Sequence, residues 1–102
     1  MKINKKINYQ NAVYLQAAES YSIVFLETGK SQVICRPLKN YAPTLVADGW
    51  CRIHRSFLVN PIFVKSIAEN RTNLFLQNGD ILPISRRNLK TVLHWRSIYQ
   101  LP

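Results

Sequence analysis

The stretch CRIHRSFLVN, residues 51–60, decides how this chain is read. In a strand, Arg52 and His54 share one face, while Cys51, Ile53 and Arg55 share the other. Cys51 and Ile53 want a core, and a straight strand would bury Arg55 with them. The backbone is therefore expected to leave strand geometry at or after His54. Arg55 then rides on a loop with its guanidinium free. Residues 56–59 return as a short apolar piece, and Asn60-Pro61 is a turn signal.

Working outward, strand signals fill most of the chain. Residues 12–17 are rich in Val, Tyr and Leu, and YSIVFLE (21–27) is β-branched and aromatic, as strands prefer. Thr28-Gly29-Lys30 reads as a turn before a returning strand at 31–35. Arg36-Pro37 breaks the pattern, since Pro suits the first turn of a helix. Leu38, Tyr41, Ala42 and Leu45 then recur at helical spacing. Pro43 limits that helix to about two turns, ending near Asp48-Gly49. A strand is expected at 50–53. Downstream, 63–68, 72–76 and 81–84 read as strands, with turns at Glu69-Asn70-Arg71 and at Gln77-Asn78-Gly79-Asp80. After Ser85, a plausible N-cap, Leu89, Val92, Leu93 and Arg96 predict a short helix. The expected fold is mainly β and antiparallel, with one short central helix and a short C-terminal one. Residues 1–10, carrying Lys2, Lys5 and Lys6, read as a basic arm before a single domain at 11–102.

Composition narrows the partners. Fourteen Lys and Arg face five Asp and Glu in 102 residues, a formal +9. Such a field suits a polyanion: nucleic acid, an acidic membrane surface or an acidic protein. No apolar run approaches transmembrane length, and MKINKKINYQ has no apolar stretch behind it, so a cytoplasmic protein is expected. Cys35 and Cys51 sit among apolar neighbours and read first as buried free thiols, with a disulfide between them the open alternative. Cys51 and His54 have ligand spacing, but Cys35 and His94 are scattered, and the paired short-spaced ligands of structural zinc are missing. No metal or cofactor is expected. Nor is catalysis: no carboxylate pair lies near a His, and no phosphate-cradling Gly-rich loop, HExxH or GxSxG occurs.

A second basic cluster sharpens the choice. Ser85, Arg86, Arg87, Asn88 and Lys90 follow a strand and open the last helix, where free backbone N–H groups accept phosphate. Arg forks suit phosphate or guanine edges. The bland alternative for these charges is a solvated face, and for His54 a core histidine bonded to backbone.

CRIHRSFLVN followed by NLFLQNGDILPISRRN (73–88) resembles the LytTR family of bacterial transcription-regulator and response-regulator output domains. The shared pattern is Arg52 to Asn60, then Asn78-Gly79, then Pro83 to Arg87. Tyr21, Leu38-Lys39 and Gly49-Trp50 add to it upstream, so the likeness spans about residues 11–95. It implies an elongated antiparallel β fold and a double-stranded DNA binder whose loops enter successive major grooves and bend the DNA. It further implies two copies on direct repeats and a role in two-component regulation. Family members usually follow a receiver or a membrane-bound sensor region, and this chain contains neither. Three contact regions carry over: Glu19, Ser20 and Tyr21; His54, Arg55 and Ser56; Ser85, Arg86 and Arg87. Arg55, Arg87, Ser20 and His54 are the expected base contacts. Tyr21, Ser56, Ser85, Arg86, Asn88 and Lys90 are the expected phosphate contacts.

Two other readings compete. A single-stranded nucleic-acid module of the OB or cold-shock kind would stack bases on exposed aromatics, but Phe25, Phe57 and Phe75 lie in apolar runs that look buried. A protein-interaction domain without nucleic acid would shift no duplex at low salt.

Overall fold

The computed structural model describes residues 9–102. Eight strands and two α-helices follow a 3₁₀ turn at Tyr9–Asn11: β1 (Ala12–Ala18), β2 (Tyr21–Leu26), β3 (Ser31–Ile34), α1 (Ala42–Ala47), β4 (Cys51–His54), β5 (Phe57–Val59), β6 (Val64–Ile67), β7 (Asn73–Leu76), β8 (Ile81–Pro83) and α2 (Arg86–Tyr99). Residues 1–8 of the expected basic arm lie outside the described residues.

The strands form two antiparallel sheets, ordered β3-β2-β1-β5-β4 and β6-β7-β8. The larger sheet is apolar on both faces, and each face has its own cover. On one side Leu15, Val24 and Leu58 meet Leu38, Tyr41, Leu45 and Trp50 from the segment around α1. On the other, Val13, Ile53 and Val59 pack on Leu74, Leu76 and Leu82 of the smaller sheet and on Val92 and Trp95 of α2. Burial of these side chains from water is the main force holding the layers together. The principal extents are 39 × 27 × 22 Å.

The β4–β5 hairpin follows the expectation for CRIHRSFLVN. Cys51 and Ile53 are buried, the strand ends at His54, and exposed Arg55 and half-buried Ser56 form the turn. Asn60 closes the other end of β5. Its side-chain amide is buried and donates to the Ala12 carbonyl at 2.9 Å, while its Oδ1 accepts the Ile62 N–H at 3.2 Å. Pro61 then starts a 3₁₀ turn over Pro61–Phe63, so β6 begins at Val64.

Three expectations need correction. The central helix is two pieces: a 3₁₀ turn at Leu38–Asn40 and α1, with Pro43 in the first turn of α1 rather than inside a longer helix. There the missing N–H costs no hydrogen bond. The C-terminal helix is not short, because it runs fourteen residues to Tyr99. Its last turn carries exposed Ile98 and Tyr99, which hide the helical period from a sequence reader. Cys35 is exposed rather than buried, because the chain has already bent away from the sheet after Ile34. Cys51 is buried as expected, and burial pushes its thiol up to about 12.

Candidate nucleic-acid interface

Strand register brings the loops together. Ser22 pairs with Ala17 of β1 and with Ile34 of β3, and the Ala17 N–H donates to the Ser56 carbonyl at 2.8 Å. Ile34, Ser22 and Ala17 therefore form one row across three strands, continued by Ser56 in the β4–β5 turn. Beyond that row lie the β1–β2 turn, Glu19-Ser20, and Arg55 of the β4–β5 turn. Two of the three predicted contact loops thus share one rim of the large sheet.

The third loop is tied to them directly. The Ser85 N–H donates to the Ile53 carbonyl at 3.0 Å, and Asn88 Nδ2 donates to the Arg52 carbonyl at 2.9 Å. These bonds fix the start of α2 against β4, within three residues of Arg55. Ser85 is the N-cap, as expected: its hydroxyl accepts the Asn88 N–H at 3.2 Å and donates to Asn88 Oδ1 at 2.6 Å. The Ser85 hydroxyl and both ends of the Asn88 amide are therefore engaged inside the protein.

Arg52 plays a part that sequence reading missed. Its Nε donates to the His54 carbonyl at 3.1 Å, and its terminal guanidinium nitrogen donates to the Arg55 carbonyl. Desolvation by burial pulls its pKa below the ordinary Arg value. The side chain holds both outer carbonyls of the turn. The alternation of Arg52 with Ile53 was visible, but a return to its own backbone was not. His54 is half-buried, with its ring 5.6 Å from that of Phe57. Its Nδ1 accepts the Ser56 N–H at 3.0 Å. That bond leaves Nε2 as the protonated nitrogen of the neutral ring.

The cations themselves remain available. Arg55, Arg86, Arg87 and Lys90 are exposed, and among the described residues none forms an ion pair. The start of α2 adds a positive dipole end and free N–H groups. Ser20 is exposed, and Tyr21 is 51% exposed. Phe25, Phe57 and Phe75 are only half-buried rather than fully so. Phe25 nevertheless stacks on Tyr14 at 4.5 Å, and Phe57 meets Tyr14 edge-on at 6.0 Å. Among the described residues no three His, Cys, Asp or Glu gather to hold a metal ion. No helix among them is long and apolar enough to cross a membrane.

Comparison with known families places the fold that carries this rim. The chain matches the LytTr DNA-binding domain over residues 3–96, nearly its whole length. It belongs to the LytTr DNA-binding domain family. No curated protein sequence matches it. Among solved structures, a LytTr DNA-binding domain from Bacillus cereus superposes with a TM-score of 0.71 at 24% identity. The superposition covers 90% of this chain and 84% of the other. The two-sheet architecture is thus a LytTr fold. The family match begins at residue 3, inside the segment expected to be an arm.

Proposed function

We propose that this LytTr domain is a transcriptional regulator that reads duplex DNA through three loops on one rim of its large sheet. The loops enter successive major grooves, and two copies occupy a direct repeat. Arg55 and Arg87 read guanine edges, whose O6 and N7 match a guanidinium fork. Ser20 and His54, through its Nε2–H, complete the base contacts. Tyr21, Ser56, Arg86 and Lys90 meet phosphates and set the register. Ser85 and Asn88 were expected to touch phosphate through their side chains. Both side chains are bonded internally, so they serve the interface by fixing the start of α2.

One observation carries this reading: the pair of hydrogen bonds from Ser85 and Asn88 to the backbone of Ile53 and Arg52. They hold two Arg-bearing segments, 32 positions apart in sequence, on the same edge of the protein. Selection of bound duplexes from a random pool is the test. A consensus in the form of a direct repeat is expected, with Arg55→Ala and Arg87→Ala each relaxing it at a different base position. Preference for single strands over duplex in competition, or no consensus at all, overturns the proposal.

A further inference from the structure

Two basic residues outside the three loops end up on the same rim. The first is Arg36. Ile34, the last residue of β3, stands opposite Ser22 in the row that contains Ala17 and Ser56. Arg36 lies two residues further along, in the bend where the chain leaves the edge of the sheet beside that row. The Ser22 hydroxyl holds it there by donating to the Arg36 carbonyl at 2.9 Å. Ser22 itself is fully buried. The Arg36 Nε is shielded from water and has no hydrogen-bond partner among the described residues. That nitrogen is as closed to a phosphate as to water, so a DNA contact falls to the terminal nitrogens of the partly exposed Arg36 guanidinium.

The second is Arg71, in the β6–β7 turn. The Ile84 N–H donates to the Thr72 carbonyl at 2.9 Å, one residue before the Ser85 N–H reaches Ile53. The Arg71 turn is therefore next to the start of α2, on the side away from the large sheet. Arg71 is exposed and has φ 61°, a left-handed backbone that a non-glycine residue adopts at a cost. The turn is held by its own bonds: the Arg71 N–H donates to the Ala68 carbonyl at 2.8 Å, and Asn70 Oδ1 accepts the Thr72 N–H at 3.1 Å.

We infer that Arg36 and Arg71 are phosphate contacts that bracket the three reading loops and widen the DNA footprint on both sides. This rests on the DNA-binding reading above. From β3 to β4 the large sheet spans roughly 19 Å at ordinary strand spacing. Arg36 stands at one end of that span, and Arg71 lies past the other end, beyond α2. Flanks that far from the central loops meet backbone rather than the groove being read. Guanidinium forks are suited to phosphate oxygens, and neither residue has an ion-pair partner among the described residues. Glu19, the nearby carboxylate on the rim, pairs with neither.

The test compares Arg36→Gln, Arg71→Gln and the double variant with the parent. The probes are a duplex selected from a random pool and a scrambled duplex of equal length, titrated across salt. Each single change is expected to lower the log–log salt slope by about 0.9, and the double change by about 1.8. Both duplexes should weaken by the same factor, so preference is untouched. An unchanged slope in both single variants overturns the inference, as does a loss confined to the selected duplex. Should Arg36→Gln fail to fold, an arginine-specific dicarbonyl applied to the parent decides the question. Duplex must protect Arg36 and Arg71 in the peptide masses, and equal labelling with and without DNA overturns the inference. If the parent binds no duplex, the broader proposal has failed instead, and that outcome is separate from the ones above.

Discussion

The two ends of β5 contrast within a single ten-residue motif. At one end, Arg55-Ser56 turn outward, and Arg52 holds the His54 and Arg55 carbonyls while the Arg55 guanidinium stays in water. At the other, Asn60 turns inward and spends its amide on Ala12 and Ile62, 4% exposed. On the proposed reading, the same run of residues serves recognition at one end and folding at the other. Chemistry presented to a partner is held through main-chain bonds, leaving the side chain free. Chemistry that builds the core uses the side chain itself.

That contrast can be broken experimentally. The largest effect is expected from Asn60→Ala, which strands the Ala12 carbonyl in a buried site. A loss of about 2–3 kcal/mol is expected, seen as a lower midpoint in denaturant, with DNA preference unchanged in the protein that stays folded. Next, Arg55→Ala and Arg87→Ala should each reduce discrimination between selected and scrambled duplex by roughly 1–3 kcal/mol. Their unfolding midpoints should stay within about 0.5 kcal/mol of the parent, as surface changes do. A large fall in stability there would merge the two ends into one structural role. Asn88→Ala sits between the classes: about 1 kcal/mol of stability and a partial loss of discrimination, measured together, because it frees the start of α2 from β4. The smallest effect is Glu19→Gly. Glu19 has φ 57°, and relieving that backbone should raise stability by about 0.5 kcal/mol. A fall in the thermal midpoint would show that the side chain matters more than the strain.

Much of this was readable in advance, for identifiable reasons. The exit of the chain after His54 followed from the conflict between Ile53 and Arg55 over one face. The β7–β8 hairpin followed from Asn78-Gly79, and the α2 cap from Ser85. Other features depended on tertiary context. The exposure of Cys35 depends on where β3 stops, which no local pattern marks. The full length of α2 was hidden because Ile98 and Tyr99 face outward. The internal engagement of Asn88 was hidden because its partner, the Arg52 carbonyl, lies 36 positions away. Arg71, read only as a turn residue, joins the rim through a bond between Thr72 and Ile84 that no spacing announces.

Helix α2 has anchors at both extremes. Ser85 and Asn88 clamp its beginning, and near its end the Trp95 indole N–H donates to the Gly49 carbonyl at 2.7 Å. A side chain added at Gly49 would sit 2.7 Å from the Tyr99 hydroxyl, the tip of an exposed side chain that can swing aside, whereas the φ of 100° strains any residue other than glycine. Fourteen residues span about 21 Å, and two separate anchors along that length fix the direction of the helix. A substitution at Gly49 therefore strains the Trp95 anchor first, while the bonds of Ser85 and Asn88 to β4 keep Arg86 and Arg87 in place.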